Sequence, residues 1–194
     1  MLEFLLKTDS ALSLFINGHH NSFFDSIMSF MSSKSVWIPL YATVAFYFYK
    51  KNPVKMFLII LGFFGLLILI SDTGSVVLFK DVFKRLRPCY DPQIADQLHI
   101  LKMPGGHYGF ISSHAANSFA FATLSLLLIK NKIYSVIIIF WATTISYSRV
   151  YLGVHFPGDV IAGAIWGISD AVLVYFLLNK VKKAISDKNT EKKN

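Results

Sequence analysis

Five stretches of this sequence are apolar over lengths at or near what a lipid bilayer demands of a spanning helix, and this limits the fold more than any other feature. A crossing helix needs about 20 largely apolar residues, because hydrocarbon offers no water to satisfy backbone N–H and C=O groups. Met56–Phe79, Tyr108–Ile129 and Pro157–Asn179 meet that length. Ile133–Ser148 is shorter but almost wholly apolar, and a fifth stretch starts near Ser29 and ends at Tyr49. The expected fold is an all-α polytopic transmembrane helix bundle of five spans, or six if the N-terminal segment also crosses. Composition agrees: 54% of the 194 residues are hydrophobic and 15% charged, with a mean hydropathy of +0.52, an oversupply for a soluble core of this size.

The net charge of +8 raises the question of nucleic acid. The basic residues punctuate the ends of the apolar runs instead of gathering into a stripe with interleaved aromatics, so no nucleic-acid partner is expected. Lys50, Lys51, Lys55, Lys130, Lys132 and the basic tail from Lys180 fall on one side, which the positive-inside rule makes cytoplasmic. The connections Lys80–His107 and Arg149–Phe156 then face outward. They carry Lys80, Lys84, Arg85, Arg87, Lys102 and Arg149, basic residues that need a reason of their own.

Three parts are expected. Residues 1–28 read as an amphipathic segment lying on the membrane, with Leu2, Leu5, Leu6, Leu12, Phe15 and Ile16 apolar among Lys7, Asp9 and Asn17. Residues 29–180 form the transmembrane domain, and 181–194 a basic cytoplasmic tail whose end, Asp187–Asn194, is expected to be disordered. No removable leader is evident at the start, and Cys89, the lone cysteine, has no partner for an internal disulfide. Nothing here sets the oligomeric state.

Three outward-facing clusters carry chemistry. If the helix continues through Lys80–Pro88, then Lys80, Lys84 and Arg87 share a face, and like charges so stacked make better sense around an anion; an interfacial basic collar is the competing reading. Gly105–His114 leads into an apolar helix. Its glycines let backbone approach a ligand, while Ser112 and Ser113 leave N–H groups at a helix start, either as an anion site or as plain caps. In Ser148–Asp159, Pro157 suits a first helical turn, which sets Asp159 one turn beyond His155. A carboxylate there fixes the imidazole's tautomer and leaves the other nitrogen free as a nucleophile. Lys80, Arg87, Arg149, Ser112, His114, His155 and Asp159 thus share one membrane face at helix ends, a set suited to phosphoryl transfer.

These residues resemble the type 2 phosphatidic acid phosphatase and vanadium haloperoxidase superfamily, whose signature runs Lys-x6-Arg-Pro, Pro-Ser-Gly-His and Ser-Arg-x5-His-x3-Asp. Lys80, Arg87 and Pro88 meet the first motif, and Ser148, Arg149, His155 and Asp159 the third. In the middle motif Ser112 and His114 align, with Ile111 in place of proline and Ser113 in place of glycine. The resemblance implies a membrane lipid phosphatase that needs no metal or other cofactor. In it His155 attacks phosphorus to form a phosphohistidine, Asp159 orients His155, and His114 protonates the leaving oxygen and then activates water. Lys80, Arg87, Ser112, Ser113 and Arg149 hold the phosphoryl oxygens. It also implies a bacterial inner-membrane setting with the site facing the periplasm or exterior. Asn17–Met28 is similar to small bacterial undecaprenyl-diphosphate phosphatases, so polyprenyl diphosphate ranks first as substrate, ahead of phosphatidylglycerophosphate or phosphatidate, then lipid A phosphate.

Other readings carry less. A metal hydrolase needs convergent ligands, and His19, His20, His99 and His107 show no tight ligand spacing. A haloperoxidase would use nearly the same anion pocket, but a membrane-embedded form argues against it. A small transporter or lipid-binding protein would draw on Asp72 and Asp170 within the spans, since intramembrane acids are costly and often functional. The 89–107 segment, with Asp91, Asp96 and Lys102, is the natural lid or headgroup selector.

Overall fold

Gly163 and Gly167, four residues apart on one helix, let two helices touch backbone to backbone and so set the centre of the structure. A Cβ at Gly163 would lie 2.5 Å from the Ser112 carbonyl oxygen, and one at Gly167 would overlap that of Ala116. Small residues at this spacing are how helices approach closely in lipid, where packing, not water exclusion, drives association. The computed structural model describes residues 2–191. The glycines belong to helix α8 (Pro157–Glu191), and the opposing helix is α6 (Ser113–Ile129), whose Ala115, Ala116 and Ala120 are fully buried.

Around this pair stand α4 (Val54–Gly74) and α7 (Lys132–Tyr151). Helix α4 runs on through a π-helical stretch, Ser75–Lys80, into a last turn, α5 (Asp81–Phe83), so that 54–83 is one helical run of 30 residues. Among the described residues, Val54–Phe83, Lys132–Tyr151 and Pro157–Lys188 are long and apolar enough to cross a membrane, and α6 is a shorter apolar helix. Leu69, Val136, Phe140, Ile161 and Phe176 are exposed on the outside of these helices, a surface suited to lipid and not to water.

Chain near the first expected span is broken. Helix α2 (Ser22–Ser32) stops at Ser33, which is extended, and a 3-10 turn (Lys34–Trp37) precedes α3 (Ile38–Lys51). Pro39 sits in the first turn of α3, where its fixed φ favours a restart. Helix α3 packs Val44 and Phe48 against Phe64 and Phe121 in the apolar core.

Helix α1 (Leu2–Gly18) carries a polar stripe that faces protein, not water. Phe4, Leu5, Leu12 and Phe15 are exposed, whereas Ser13 and Asn17 are buried. Asp9, Ser13 and Asn17 recur every fourth residue, which places them on one face. At the other end, the expected disorder of Asp187–Asn194 gives way to helix as far as Glu191; Lys192, Lys193 and Asn194 lie outside the described residues. Extending an existing helix avoids the cost of nucleation, and Lys and Ala are good helix formers.

Replacing Gly167 with Leu should cost about 1–3 kcal/mol or more by forcing α8 off α6. Gly62→Leu, at a position with open space around the would-be Cβ, should leave the melting temperature in detergent nearly unchanged.

Candidate active site

Three distant segments meet through backbone hydrogen bonds before any side chain acts. Leu86 and Tyr108 form an isolated antiparallel bridge, with Arg87 N–H donating to the His107 carbonyl at 2.9 Å and Gly109 N–H to that of Arg85 at 2.8 Å. Ser112 N–H donates to the Asp159 carbonyl at 2.9 Å. The expected single face of Lys80, Lys84 and Arg87 does not form: the helix ends at Phe83, and Lys84 takes a left-handed conformation (φ 49°) and is exposed. Lys80 stays on the helical run, while extended backbone at Arg87, ahead of Pro88, turns that side chain inward.

His155 lies 1% exposed in the turn between α7 and α8. Its Nδ1 stands 3.4 Å from Asp159 Oδ2 without completing a hydrogen bond. Its Nε2 lies 2.7 Å from Arg87 Nη1. A guanidinium can only donate, so Nε2 is the acceptor and the proton sits on Nδ1, facing Asp159. Burial, reinforced by the charges of Arg87, Arg149 and Lys80, holds the imidazole pKa well below its usual value. The side chain therefore presents a neutral Nε2 with its lone pair covered by Arg87. That arginine is itself fixed by the Gly106 and Val154 carbonyls.

Asp159 is wholly buried in the first turn of α8 and answers to more than His155. Oδ2 accepts from Phe156 N–H at 3.0 Å, and Oδ1 from Arg85 Nη1 at 2.9 Å. Arg85 spans to Asp9 of α1 at 2.6 Å and stacks over the Phe156 ring at 4.0 Å. Asp9 in turn accepts from Gly158 N–H at 2.7 Å. Neither Asp9 nor Arg85 was singled out from sequence. The available signal was a surplus of outward-facing cations, Lys84, Arg85 and Lys102 beyond the three that hold phosphoryl oxygens, and an acid at four-residue spacing in line with Ser13 and Asn17. Gly109 is confined here as well: a Cβ would sit 3.0 Å from Asp159 Oδ2 and 3.1 Å from Arg87 Cγ.

The serines divide in role. Ser112 is fully buried at the N-cap of α6, its side chain accepting weakly from Ala115 N–H. Ser113 is half-buried and its hydroxyl receives Lys80 Nζ and meets Ser75 Oγ at 2.6 Å. His114 follows on the first turn of α6, half-buried. Arg149 contacts the Ser32 hydroxyl, while its Nε is buried without a partner. Ser148 bonds back to the Ile145 carbonyl at 2.6 Å, a helix-internal contact.

Two cavities border these residues. One of about 820 Å³ lies between α3, α4 and α6, lined mostly by apolar side chains such as Phe48, Ile60, Phe64 and Phe121, with His114, Lys34, Asp72 and Asn117 among its polar residues. Asp72 is not a free intramembrane acid, since its Oδ1 accepts from Asn117 Nδ2 at 2.8 Å. Asp170 is buried, with Oδ2 unpartnered. A smaller cavity of about 310 Å³ is lined by Arg149, Ser29, Lys102 and Gly105, and Ser32 and Ser33 line both. Of the suggested loop contacts, only Lys102 lines a cavity; Asp91 closes a local turn on Gln93 N–H, and Asp96 is exposed.

The family model of the PAP2 superfamily matches residues 60–183, which takes in all of these clusters. The chain is 39% identical over 184 residues to a lipid A 4'-phosphatase of Bacteroides thetaiotaomicron, covering 93% of this chain and 81% of that protein. It is 31% identical over 158 residues to an undecaprenyl-diphosphatase of Sulfolobus acidocaldarius, covering 78% and 69%. In fold it is similar to the transmembrane PAP2-type phosphatidylglycerolphosphate phosphatase of Bacillus subtilis, with a TM-score of 0.68 at 22% identity over 93% of this chain and 87% of that one. With the family's motifs gathered on one face of an apolar helix bundle, the chain belongs to the PAP2 superfamily, as one of its membrane-embedded lipid phosphatases.

Proposed function

We propose that the substrate is a lipid A-type saccharolipid and that the enzyme removes a sugar-linked phosphate monoester from it. The observation that carries this is the 39% identity to a lipid A 4'-phosphatase across 93% of the chain. The likeness to undecaprenyl-diphosphatases is lower and shorter, so lipid A phosphate replaces polyprenyl diphosphate as the leading substrate. The cavity of about 820 Å³ between α3, α4 and α6 suits acyl chains, and the smaller one beside Arg149 suits a polar headgroup.

Chemistry follows from the resting contacts. An incoming phosphate competes with His155 for Arg87, because a dianion accepts charge-assisted hydrogen bonds better than a neutral imidazole. That releases the Nε2 lone pair beside the phosphorus. Nε2 bonds to phosphorus as the P–O bond to the sugar breaks, and His114, which takes up a proton from solvent once the phosphate dianion offsets the neighbouring cations, passes it to the departing alkoxide. The His155 Nδ1–H, facing Asp159, stabilises the positive charge that develops on the ring. Lys80, Arg87 and Arg149, with the Ser112 and Ser113 end of α6, hold the phosphoryl oxygens. Water, deprotonated by His114, then cleaves the phosphohistidine to inorganic phosphate. The basic residues Lys51, Lys55, Lys130 and Lys132 sit at the helix ends away from the site, which supports an outward-facing site under the positive-inside rule.

Phosphate release by purified protein in detergent with EDTA tests this directly. Lipid A should turn over at least about tenfold faster than undecaprenyl diphosphate or phosphatidylglycerophosphate, and His155→Ala should lose on the order of 10³-fold or more. Faster release from the polyprenyl substrate would reverse the assignment.

The depressed pKa of His155 has a stability consequence. Below about pH 6.5 the unfolded chain binds a proton at this residue that the folded protein refuses, so stability falls with pH by up to about 1.4 kcal/mol per unit until the folded pKa is reached. Melting temperatures in detergent should drop between pH 7 and pH 5, and His155→Gln should flatten that slope.

A further inference from the structure

Two histidines that sequence spacing separates by 79 positions lie face to face in the structure. The rings of His20 and His99 stack with centroids 3.7 Å apart and planes 9° from parallel, and His99 Nε2 lies 3.0 Å from Asp25 Oδ2. One ligand atom from each of His20, Asp25 and His99 lies within 4.8 Å of the others. None of the three takes part in the phosphate site.

We infer that His20, Asp25 and His99 form a binding site for a borderline-soft divalent cation of the zinc type, which clips the N-terminal helix corner to the segment walling the headgroup cavity. Two imidazoles and a carboxylate match the ligand preference of zinc, with water completing a four-coordinate shell on the exposed side. His20 is exposed, so its ring is free to tilt from the stack onto a shared ion. His99 meets the ion through Nε2 when its proton resides on Nδ1, and no net charge change is required of it.

The surrounding contacts are those expected of a held ligand set, where outer partners orient the inner ones. Tyr151 donates to Asp25 Oδ1 at 2.8 Å, leaving Oδ2, which lies beside His99 Nε2, as the oxygen for the ion. Buried Asn17 clamps the backbone of His99 from both sides: Oδ1 accepts from His99 N–H at 2.8 Å, and Nδ2 donates to the His99 carbonyl at 2.9 Å. The same Nδ2 reaches the Tyr151 carbonyl at 2.7 Å. His19 stands apart, its Nδ1 engaged with the Phe15 carbonyl. The segment so pinned continues directly into 101–105, which lines the cavity beside Arg149.

The test is zinc titration by calorimetry into full-length protein carrying no polyhistidine tag, in detergent, after stripping with chelator. One saturable site per chain is expected, with a rise of several degrees in melting temperature on binding. His20→Ala and His99→Gln should each weaken binding by about 100-fold or more, whereas His19→Ala should leave it unchanged. The exposed His20 makes its variant decisive: an unchanged metal-free melting temperature with lost binding supports the site. Absence of a saturable one-to-one site, or binding that survives both His20→Ala and His99→Gln, overturns it and leaves a hydrogen-bonded cluster only.

Discussion

One buried carboxylate holds the three parts of the site together. Asp159 accepts from Arg85 on the first cluster and from Phe156 N–H on its own, and its backbone carbonyl receives Ser112 of the second. A carboxylate wholly removed from water is tolerated only when its lone pairs are answered by cations and N–H donors. The structure meets that condition by bringing distant segments to it. The close contact of α6 and α8 through Gly163 and Gly167 allows this, since it sets the start of α6 against the first turn of α8.

Arg87 gives the resting site a second property. It covers the His155 Nε2 lone pair at rest, and in the proposed chemistry it also holds the phosphate, so nucleophile and anion contend for the same guanidinium. In the proposed chemistry the nucleophile is uncovered when an anion arrives. Arg149, with a buried and unpartnered Nε, is a cation with bonding capacity left unspent.

Much of this was legible in sequence because lipid imposes a simple rule on composition. Runs from Met56, Tyr108, Ile133 and Pro157 correspond to α4, α6, α7 and α8, since a segment with no water to bond must be helical. The spacing of His155 and Asp159 was readable because a helix start converts it into proximity. Lys84 shares a face with Lys80 and Arg87 only if the helix continues, and a single left-handed residue ends that condition. Asp9 escaped notice because the polar stripe of an amphipathic helix looks the same whether it meets water or protein. The Asn17–Met28 likeness pointed towards a polyprenyl substrate, yet Asn17 and Asp25 spend their side chains on His99 and Tyr151. In this chain those two side chains dock a loop.

The inward-facing stripe of α1 also bears on how the protein is made. Asp9 bonds Gly158 across 149 residues of chain. Asp9 can meet Arg85 earlier, but its bond to Gly158 must wait until the start of α8 emerges. During that interval α1 can rest on the membrane surface through Phe4, Leu5, Leu12 and Phe15, with its polar side in water. Closing the ring with Gly158 then becomes a late step of biogenesis, and the candidate site is finished only when α1 and the first turn of α8 have met.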